Sequence, residues 1–540
     1  MNKFISVLRK PDFVLGATEN SPFRFEEKNE WTDCPVKFDY VIENEVGKIT
    51  VYPSEAPVKY LKLRWNGDFS FIDKVYGDQI ERVGESCFLE WRSVMPHRVM
   101  AWYCMVKSSD TVAGYGVKTS PDCFAFWQVD TRGITLFLNL CNGNNGTNLK
   151  APLLSCQVVE TVGDVGQDAY YVHKNFCKKM CDNPVIPKTP IFGVNNWYWA
   201  YGDISKESVL KETDYLMEMT AGVKNRPSMI IDDGWQINRT YGDFRYIGGP
   251  WEPNDKFVDM QETAIRIKEK GAKPGIWFRP LLTLGRVPND AFLRSNSNGI
   301  VLDPSNPFTL EKVENDAKKI RNWGYEIIKH DFSTMDITGN APLTSESHFT
   351  TMHSHDAKFF DDTLTTATII KNFYKAVQKG AGDADVIGCN TIGHLTAGIH
   401  SVARIGNDTS GRSFEWTRRF GVHSFMRLPQ NENFFLADPD CAAFTTQVDP
   451  NLNLDYLEAC AITGMTTLAS VTPYSLTTAQ LKRINEIFKI ADENALRYSI
   501  KNYDKNANPD TFISKDGKTT KEFNWLKAYE GARLHLDWFK

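Results

Sequence analysis

The sequence has no long apolar run and no excess of one charge. No window of the 540 residues approaches about 18 apolar residues, so we expect no segment that spans a membrane. Lysine and arginine number 62 against 67 aspartates and glutamates, which gives a formal net charge of −5 without a block of like charge. A nucleic acid or an anionic membrane would favour a basic patch, so we expect neither as a partner.

Paired cysteine motifs are also absent. The 11 cysteines form no C-x-x-C pair and no zinc-knuckle spacing, which favours free thiols in a reducing compartment. The first residues contain only a short apolar stretch, too short for the core of a signal peptide. We therefore expect a cytoplasmic protein, or a periplasmic or secreted one if a leader has been removed.

Aromatic residues are the unusual part of the composition. The chain has 14 Trp, 20 Tyr and 33 Phe, together 12% of all residues. Rings with a flat apolar face and a polar handle suit stacking against sugars, but a large hydrophobic core explains the same composition. Composition alone leaves both interpretations open.

The pattern of predicted secondary structure changes near residue 182. Before it, short alternating runs such as residues 61–65 are separated by turn signals, which predicts an antiparallel β-sandwich domain over residues 1–182. After it, strand-like and helix-like stretches alternate over residues 183–492. No Gly-rich phosphate turn follows the first strand, so this part is predicted to be a closed (β/α)8 barrel, an α/β fold, rather than an open doubly wound sheet. Residues 493–540 are predicted to be a short C-terminal region of β character.

The eight predicted barrel strands cover residues 191–197, 228–231, 274–278, 326–328, 386–388, 402–405, 434–436 and 464–469. The predicted barrel helices cover residues 206–219, 261–270, 309–323, 363–378 and 478–490.

Charged and aromatic residues follow directly on six of these strands. In a (β/α)8 barrel the carboxyl ends of the strands form the face that carries the active site. Side chains alternate along a strand, so Lys329 and Asp331 are predicted to face the same way, as are Trp277 and Arg279. We expect the ammonium of Lys329 to keep Asp331 ionised, which suits a nucleophile and not a general acid.

Asp408 is the second carboxylate that such a site would need. It follows Arg404 by four residues, and Gly406 leaves room for a ligand. Two carboxylates with opposed pKa values, nearby tryptophans and no metal motif describe a glycosidase, in which one carboxylate attacks the anomeric carbon and the other protonates the leaving oxygen. A carboxyl separation of about 5 to 5.5 Å would mean retention of configuration, and one of about 6.5 Å or more would mean inversion.

Each residue also has a purely structural interpretation. A single Asp at a strand end is commonly a helix cap or a loop residue, and Asp232 with Asp233 could form an Asx turn. Trp197 could belong to the core, and Cys389 could be a small buried hydrophobe. Charged or aromatic residues follow six strands of one predicted barrel, which favours a common functional site over these separate explanations.

The histidines of the long loop after the fourth strand invite a metal interpretation. His348, His353 and His355 lie there among several aspartates, but no H-E-x-x-H pair or regular ligand spacing is present. We therefore expect no metal and no cofactor. The loop, residues 340–362, could instead form part of the substrate wall.

The strand-end residues resemble those of the α-galactosidase (melibiase) superfamily, glycoside hydrolase clan D, families 36 and 27. The similar barrel blocks are Asn195-Asn196-Trp197, Ile231-Asp232-Asp233-Gly234-Trp235, Pro274-Gly275-Ile276-Trp277 and Ile328-Lys329-His330-Asp331. Three upstream blocks resemble the β-supersandwich domain that precedes the barrel in family 36, namely Asp78-Gln79-Ile80-Glu81-Arg82, Leu89-Glu90-Trp91 and Gly114-Tyr115-Gly116-Val117-Lys118-Thr119.

The resemblance implies a retaining α-glycosidase that acts on terminal α-galactosides, with Asp331 as the nucleophile and Asp408 as the acid/base. It also implies a set of substrate-binding residues. Asp232 and Asp233 would bind the sugar O4 and O6 hydroxyls, Lys329 and Arg404 would bind ring hydroxyls, and Trp197 and Trp277 would form apolar walls. Cys389, Asn390 and His394 occupy the region where family 27 sorts galactose from N-acetylgalactosamine, and Arg279 completes the predicted set.

Several alternatives stay open at this point. The substrate could be an α-N-acetylgalactosaminide, a β-L-arabinopyranoside or the end of an α-glucan. The chain could also be a non-catalytic carbohydrate-binding barrel, and a homo-oligomer is one alternative for its assembly.

Overall fold

The first part of the chain folds into an antiparallel β-sheet, which is called the sandwich below. The computed structural model describes residues 3–21, 34–82, 88–90, 99–237, 247–296, 298–341, 343–494, 497–501, 503–505 and 508–526. Within these residues the sheet has eleven strands, Phe13–Thr18, Phe38–Glu43, Val46–Val51, Val58–Asn66, Lys74–Asp78, Phe88–Glu90, Val99–Lys107, Val112–Val117, Phe124–Asp130, Gly133–Asn139 and Leu153–Val162. Trp91 of the predicted upstream motif lies outside the described residues.

Large rings fill the core of this sheet. Period-two alternation buries Leu61, Leu63 and Trp65 completely on one face of their strand. Trp65 stacks near Trp127, with 6.5 Å between ring centroids. For these residues the aromatic excess is core packing rather than a sugar platform.

One helix, Ala169–Met180, connects the sheet to the barrel. Asp168 caps it, because its carboxylate accepts a hydrogen bond of 2.8 Å from the backbone N–H of Tyr170. Phe176 and Met180 are fully buried against the sheet, where Gly116 leaves space: a Cβ on Gly116 would lie 2.8 Å from the Met180 sulfur.

The second part is a (β/α)8 barrel of parallel strands. Strands one to eight are Phe192–Asn195, Ser228–Ile231, Lys273–Phe278, Ile327–His330, Asp385–Gly388, Val402–Arg404, Leu436–Asp438 with Ala442–Phe444, and Thr467–Val471. Strand one pairs with strand eight, and strand seven is interrupted at residues 439–441. Its first half pairs with strand six and its second half with strand eight, so the ring closes through the interruption.

The barrel helices begin where the sequence supplies caps. They are Lys206–Met219, Met260–Glu269, Pro307–Asn322, Thr366–Ala381, Pro450–Ile462 and Thr478–Asp492, with short helices at Trp197–Ala200, Ser333–Thr338, Ser345–His348 and Gly393–Thr396 and irregular helical turns over residues 414–430. Each of the six long helices follows a Ser, Thr, Asp or Asn whose side chain accepts a hydrogen bond from a first-turn N–H.

Two barrel strands start two or three residues later than predicted, and the other six start within one residue of the predicted position. Strand eight starts at Thr467 rather than Gly464, because Gly464 has a φ of +70° and ends the preceding helix. Strand seven starts at Leu436 rather than Phe434, because residues 431–434 form a turn in which Phe434 N–H bonds to the Gln430 carbonyl.

The long loop after strand four lies against the sandwich. Asn144 donates to the carbonyls of His353 and His355 at 3.0 and 3.1 Å, and Tyr60 donates to the carbonyl of Thr350 at 2.8 Å. Burial lowers the pKa of His353 to about 3. Among the described residues no group of three or more His, Cys, Asp or Glu side chains is arranged to hold a metal ion.

The remaining strands form two small antiparallel sheets. One is inserted after strand three and contains Leu282–Thr283, Phe292–Asn296 and Gly299–Leu302, and the other contains Tyr498–Ile500, Thr511–Ser514 and Thr520–Glu522. The ten cysteines within the described ranges are free thiols. In the part of the chain that the structure describes, no helix has both the length and the apolar character to cross a bilayer. The domain boundaries at residues 182 and 492 stay a prediction.

Candidate active site

A cavity of about 360 Å³ lies at the carboxyl ends of the barrel strands. That volume is in the range of small-molecule sites. Its lining residues are Arg82, Trp197, Tyr198, Asp232, Asp233, Trp277, Arg279, Asn298, Lys329, Asp331, Phe332, Met335, Cys389, Arg404 and Asp408. Ten of the twelve residues predicted from the sequence are therefore brought together in one place, and Asn390 and His394 are not.

Asp331 stands just beyond strand four and is held by two N–H donors. Trp277 Nε1 donates to one carboxylate oxygen at 3.1 Å, and the backbone N–H of Phe332 donates to the other at 2.7 Å. Phe332 has a φ of +61°, an uncommon conformation for a bulky side chain. This turn ends the strand and fixes the Asp331 carboxylate at the cavity wall.

Lys329 pairs with Asp232 on strand two and not with Asp331. Its ammonium donates to Asp232 at 2.6 Å, and Asn195 donates to the same oxygen at 2.8 Å. Burial would lower the pKa of Lys329, but the Asp232 carboxylate raises it well above its usual value. Lys329 and Asp331 both line the cavity, as the strand alternation predicts, but the ammonium forms its hydrogen bond with Asp232, because the long lysine side chain reaches across strand three to the carboxylate on its far side.

Asp233 sits beside this ion pair in a tight turn. Its backbone N–H donates to Asp232 at 2.9 Å, and its carboxylate accepts from Gln236 at 2.6 Å. Gly234 follows with a φ of +116°, and a Cβ there would collide with the carbonyl oxygen of Gly202. The turn directs two adjacent carboxylates toward the cavity.

Asp408 follows strand six and lies between two guanidinium groups. One of its oxygens accepts from Arg82 at 2.8 Å and from Arg404 at 3.1 Å, while 56% of the side-chain surface remains accessible. Enclosure by the protein would raise the pKa of Asp408, but Arg82, Arg404 and Lys329 lower it to about 2. The opposed pKa values expected for the two carboxylates would need a raised pKa at Asp408, and the surrounding cations lower this pKa instead.

Arg404 is fixed from behind by strand seven. Its guanidinium lies 3.0 Å from Asp440, a residue with a φ of +78° in the interruption of that strand. Tyr198 donates a short hydrogen bond to the same Asp440 oxygen, and Arg404 donates to the Cys389 sulfur at 3.4 Å. Arg404, Cys389 and Tyr198 thus form one connected wall of the cavity.

Arg279 lines the cavity, but its guanidinium is bound by another side chain of the protein. It makes a two-pronged ion pair with Asp336, at 2.8 and 2.5 Å, and both side chains are almost fully buried. Its guanidinium carbon lies 4.4 Å from the centre of the Phe332 ring. Arg279 therefore supports the turn that holds Asp331, and its role in binding substrate stays a prediction.

Asn390 and His394 face the sandwich instead of the cavity. Asn390 donates a short hydrogen bond to Glu81, and His394 donates to the carbonyl of Val117 at 2.9 Å and stacks on Trp102. Strand five ends at Gly388, and Cys389 points inward while the next side chain points outward. The predicted role of these two residues in reading the sugar 2-position is not supported by their placement.

Sequence reasoning missed several lining residues, of which Arg82 is the most distant along the chain. It comes from the segment after strand Lys74–Asp78 of the sandwich. The motif over residues 78–82 is visible in the sequence, but no local pattern predicts that the side chain of its last residue enters the barrel. Tyr198, Asn298, Phe332 and Met335 were also missed.

The overall structure is similar to those of solved α-galactosidases. The enzyme from Thermus thermophilus, in complex with p-nitrophenyl α-D-galactopyranoside, matches with a TM-score of 0.58 and 15% identity over 90% of this chain and 98% of that one. An α-galactosidase from Lactobacillus brevis matches with 0.59 and 12% identity over 89% and 69% of the two chains. A family GH36 α-galactosidase variant from Geobacillus stearothermophilus, in complex with raffinose, matches with 0.57 and 13% identity over 89% and 71%.

No family model matches the sequence, and no curated protein matches it. The likeness to solved structures therefore defines the fold: a β-sandwich domain followed by a (β/α)8 barrel, as in the α-galactosidases of glycoside hydrolase family 36.

Proposed function

We propose that this protein is a retaining glycoside hydrolase that removes terminal α-galactosyl residues. The observation that carries the proposal is the meeting of Asp331 and Asp408 in one barrel-end cavity with the Asp232–Lys329 pair. A fold shared with α-galactosidases, two of which are bound to α-galactosides, supports the same reaction class.

The chemistry is a double displacement. Asp331, positioned by the N–H groups of Trp277 and Phe332, attacks the anomeric carbon while Asp408 gives a proton to the leaving oxygen. A covalent glycosyl ester on Asp331 results. In the second step Asp408 takes a proton from water, and the hydroxide oxygen displaces Asp331 to release the sugar with its original configuration.

The other lining residues suit a sugar ring. The side-chain oxygens of Asp232 and Asp233 accept hydrogen bonds from sugar hydroxyls, and Lys329 and Arg404 donate them. Trp277 is almost fully buried at one side of the cavity, and Trp197 is half-buried at another, so both can cover apolar C–H faces.

The test is the substitution Asp331→Ala on an aryl α-galactoside. We expect a loss of at least about 10³-fold in kcat, since no covalent intermediate can form, and the matched control Asp383→Ala should keep its activity. Asp383 is an exposed carboxylate at the opposite end of the barrel, where it pairs with Arg321 at the surface.

Azide or formate should restore part of the Asp331→Ala activity and give the product of inverted configuration, which proton NMR of the fresh product reads directly. Ordinary turnover by Asp331→Ala, or inversion by the unsubstituted protein, would contradict the proposal. A wild-type chain that releases sugar from none of a panel of α- and β-glycosides would contradict the enzyme function itself.

A further inference from the structure

A segment of the sandwich, residues 78–82, is locked into the barrel by buried polar contacts. Asp78 accepts hydrogen bonds from Arg427 Nε at 2.5 Å and from Gln430 at 2.8 Å. Arg427 also donates to the backbone carbonyl of Glu81 at 2.7 Å. These barrel residues belong to the helical turns that follow strand six, the strand that ends next to Asp408.

Glu81 is the second anchor of this segment. Its side chain is almost fully buried and accepts a hydrogen bond from the backbone N–H of Leu343 at 3.2 Å and a short one from Asn390. One of its oxygens lies 3.5 Å from Arg82 Nε. Burial raises the pKa of Glu81 to about 6, against the opposing effect of Arg82.

Arg82 is thereby held with its guanidinium in the cavity. Its Nη1 lies 2.8 Å from Asp408 and 3.9 Å from the Cys389 sulfur, and only 14% of its side chain is exposed. A guanidinium carried by a flexible surface loop would lose much side-chain entropy on forming such a contact, whereas this one is already oriented by its neighbours.

We propose that Arg82, a residue of the sandwich domain, is a positioning residue for Asp408 that sets the pH at which this carboxyl exchanges its proton. The inference rests on the proposed function, in which Asp408 must hold a proton before the leaving oxygen receives it. Arg82 favours the carboxylate form of Asp408, so the carboxyl takes up a proton from solvent only at a lower pH. The pH range in which the enzyme is active therefore stays acidic.

Several other charges act on Asp408 and remain when Arg82 is changed. Arg404 from strand six and Lys329 from strand four favour the carboxylate, while the nearby Glu81 opposes it and Asp331 lines the same cavity. The groups behind Arg404 are Asp440 and Tyr198, and the Cys389 thiol faces Arg82. Removal of Arg82 should therefore raise the pKa of Asp408 in part, because the other cations still lower it.

The substitution Arg82→Gln removes the charge, and Arg82→Lys restores a cation. Arg64→Gln is the matched control, because Arg64 makes a similar ion pair with Asp130 inside the sandwich sheet and does not line the cavity. The first measurement is the carboxyl carbon titration of Asp408 by NMR in protein labelled at aspartate, with Asp408→Asn assigning the signal. The second is the pH profile of kcat/KM on an aryl α-galactoside.

In Arg82→Gln we expect the Asp408 titration to move up by about one pH unit or more, because one of two adjacent cations is gone. The basic limb of kcat/KM should move in the same direction, since a general acid with a higher pKa stays protonated to higher pH. Arg82→Lys should fall between Arg82→Gln and the wild type, and Arg64→Gln should match the wild type.

An unchanged Asp408 titration in folded Arg82→Gln would overturn the inference, as would an equal shift in Arg64→Gln. If Arg82→Gln does not fold, Arg82→Met carries the same comparison. A wild-type protein without any glycosidase activity would overturn the proposed function, and the NMR titration would still decide whether Arg82 controls the proton on Asp408.

Discussion

At the level of single residues, the carboxylates of the cavity differ in what holds them. Asp331 is bound by two N–H groups, Asp232 by a buried ammonium and Asp408 by two guanidinium groups. N–H donors fix a position without adding a full charge, and an ammonium neutralises a buried carboxylate that would otherwise be costly. These differences suit three tasks, namely attack, hydroxyl binding and proton exchange.

The Asp232–Lys329 pair gives the first residue-level prediction. Both side chains are nine-tenths or more buried, so Lys329→Met leaves an unpaired carboxylate in the barrel. We expect a loss of about 3–5 kcal/mol in the free energy of unfolding, measured by urea denaturation, and a loss of glycosidase activity.

A second substitution separates stability from activity at this pair. Asp232→Asn combined with Lys329→Met removes both charges, so it should recover most of the lost stability while the activity stays lost. If the double variant were no more stable than Lys329→Met alone, the ion pair would not be the source of the stabilisation.

The predictable residues of the site are those on regular strands. Lys329, Trp277 and Asp331 could be predicted because side chains alternate along a strand up to its last residue. Asn390 and His394 could not be placed correctly, because the alternation stops where the strand ends and the chain turns toward the sandwich. Residue type alone does not tell which side of such a turn faces the cavity.

At the level of elements, turns with positive φ end three of the barrel strands at the cavity. Gly234 follows strand two, Phe332 follows strand four, and Asp440 lies in the interruption of strand seven. After strands two and four such turns stop the strand abruptly, so the adjacent carboxylate points into the cavity, and at strand seven the turn places Asp440 behind Arg404. The position of each acidic side chain thus depends on the turn beside it.

Gly234→Ala tests this dependence. The new methyl group would meet the carbonyl oxygen of Gly202, and the φ of +116° is unfavourable for any residue with a Cβ. We expect a loss of about 2 kcal/mol or more in the free energy of unfolding and a marked fall in kcat/KM, because Asp232 and Asp233 would shift.

Gly166→Ala is the matched control for backbone strain. Gly166 has a φ of +77°, but a Cβ there would meet nothing within 4 Å. It should lose only about 1 to 2 kcal/mol and keep its activity. Equal effects of the two substitutions would show that the contact with Gly202 does not matter.

The barrel helices were predictable only in part, since Pro450–Ile462 lies in no predicted range. Their starts follow capping residues and their apolar faces recur with helical spacing, so the predicted helix over residues 206–219 agrees with the structure at both ends. Strand seven could not be predicted in the same way. Its interruption follows from the packing of Asp440 against Arg404 and Tyr198, contacts between residues far apart in the sequence.

At the level of the whole molecule, the sandwich and the barrel share buried polar contacts near the cavity. Asp78 of the sandwich and Arg427 of the barrel are each about 3% exposed, and Arg427 also bonds to the backbone of the same sandwich segment. No local sequence pattern pairs residues 349 positions apart, so this contact and the entry of Arg82 into the cavity could not be predicted.

Arg427→Met should disconnect the sandwich segment from the barrel. Asp78 would be left buried without its cation, so we expect a loss of about 3–5 kcal/mol in the free energy of unfolding at neutral pH, measured by urea denaturation. Burial already raises the pKa of Asp78, so the carboxyl should take up a proton more readily without Arg427, and the loss should shrink as the pH falls toward 5.

Arg483→Met is the matched control, because Arg483 pairs with Asp455 at the surface and should contribute less than about 1 kcal/mol. Arg427→Met should also shift the basic limb of kcat/KM in the same direction as Arg82→Gln, and an unshifted pH profile would mean that Arg82 reaches Asp408 without this anchor.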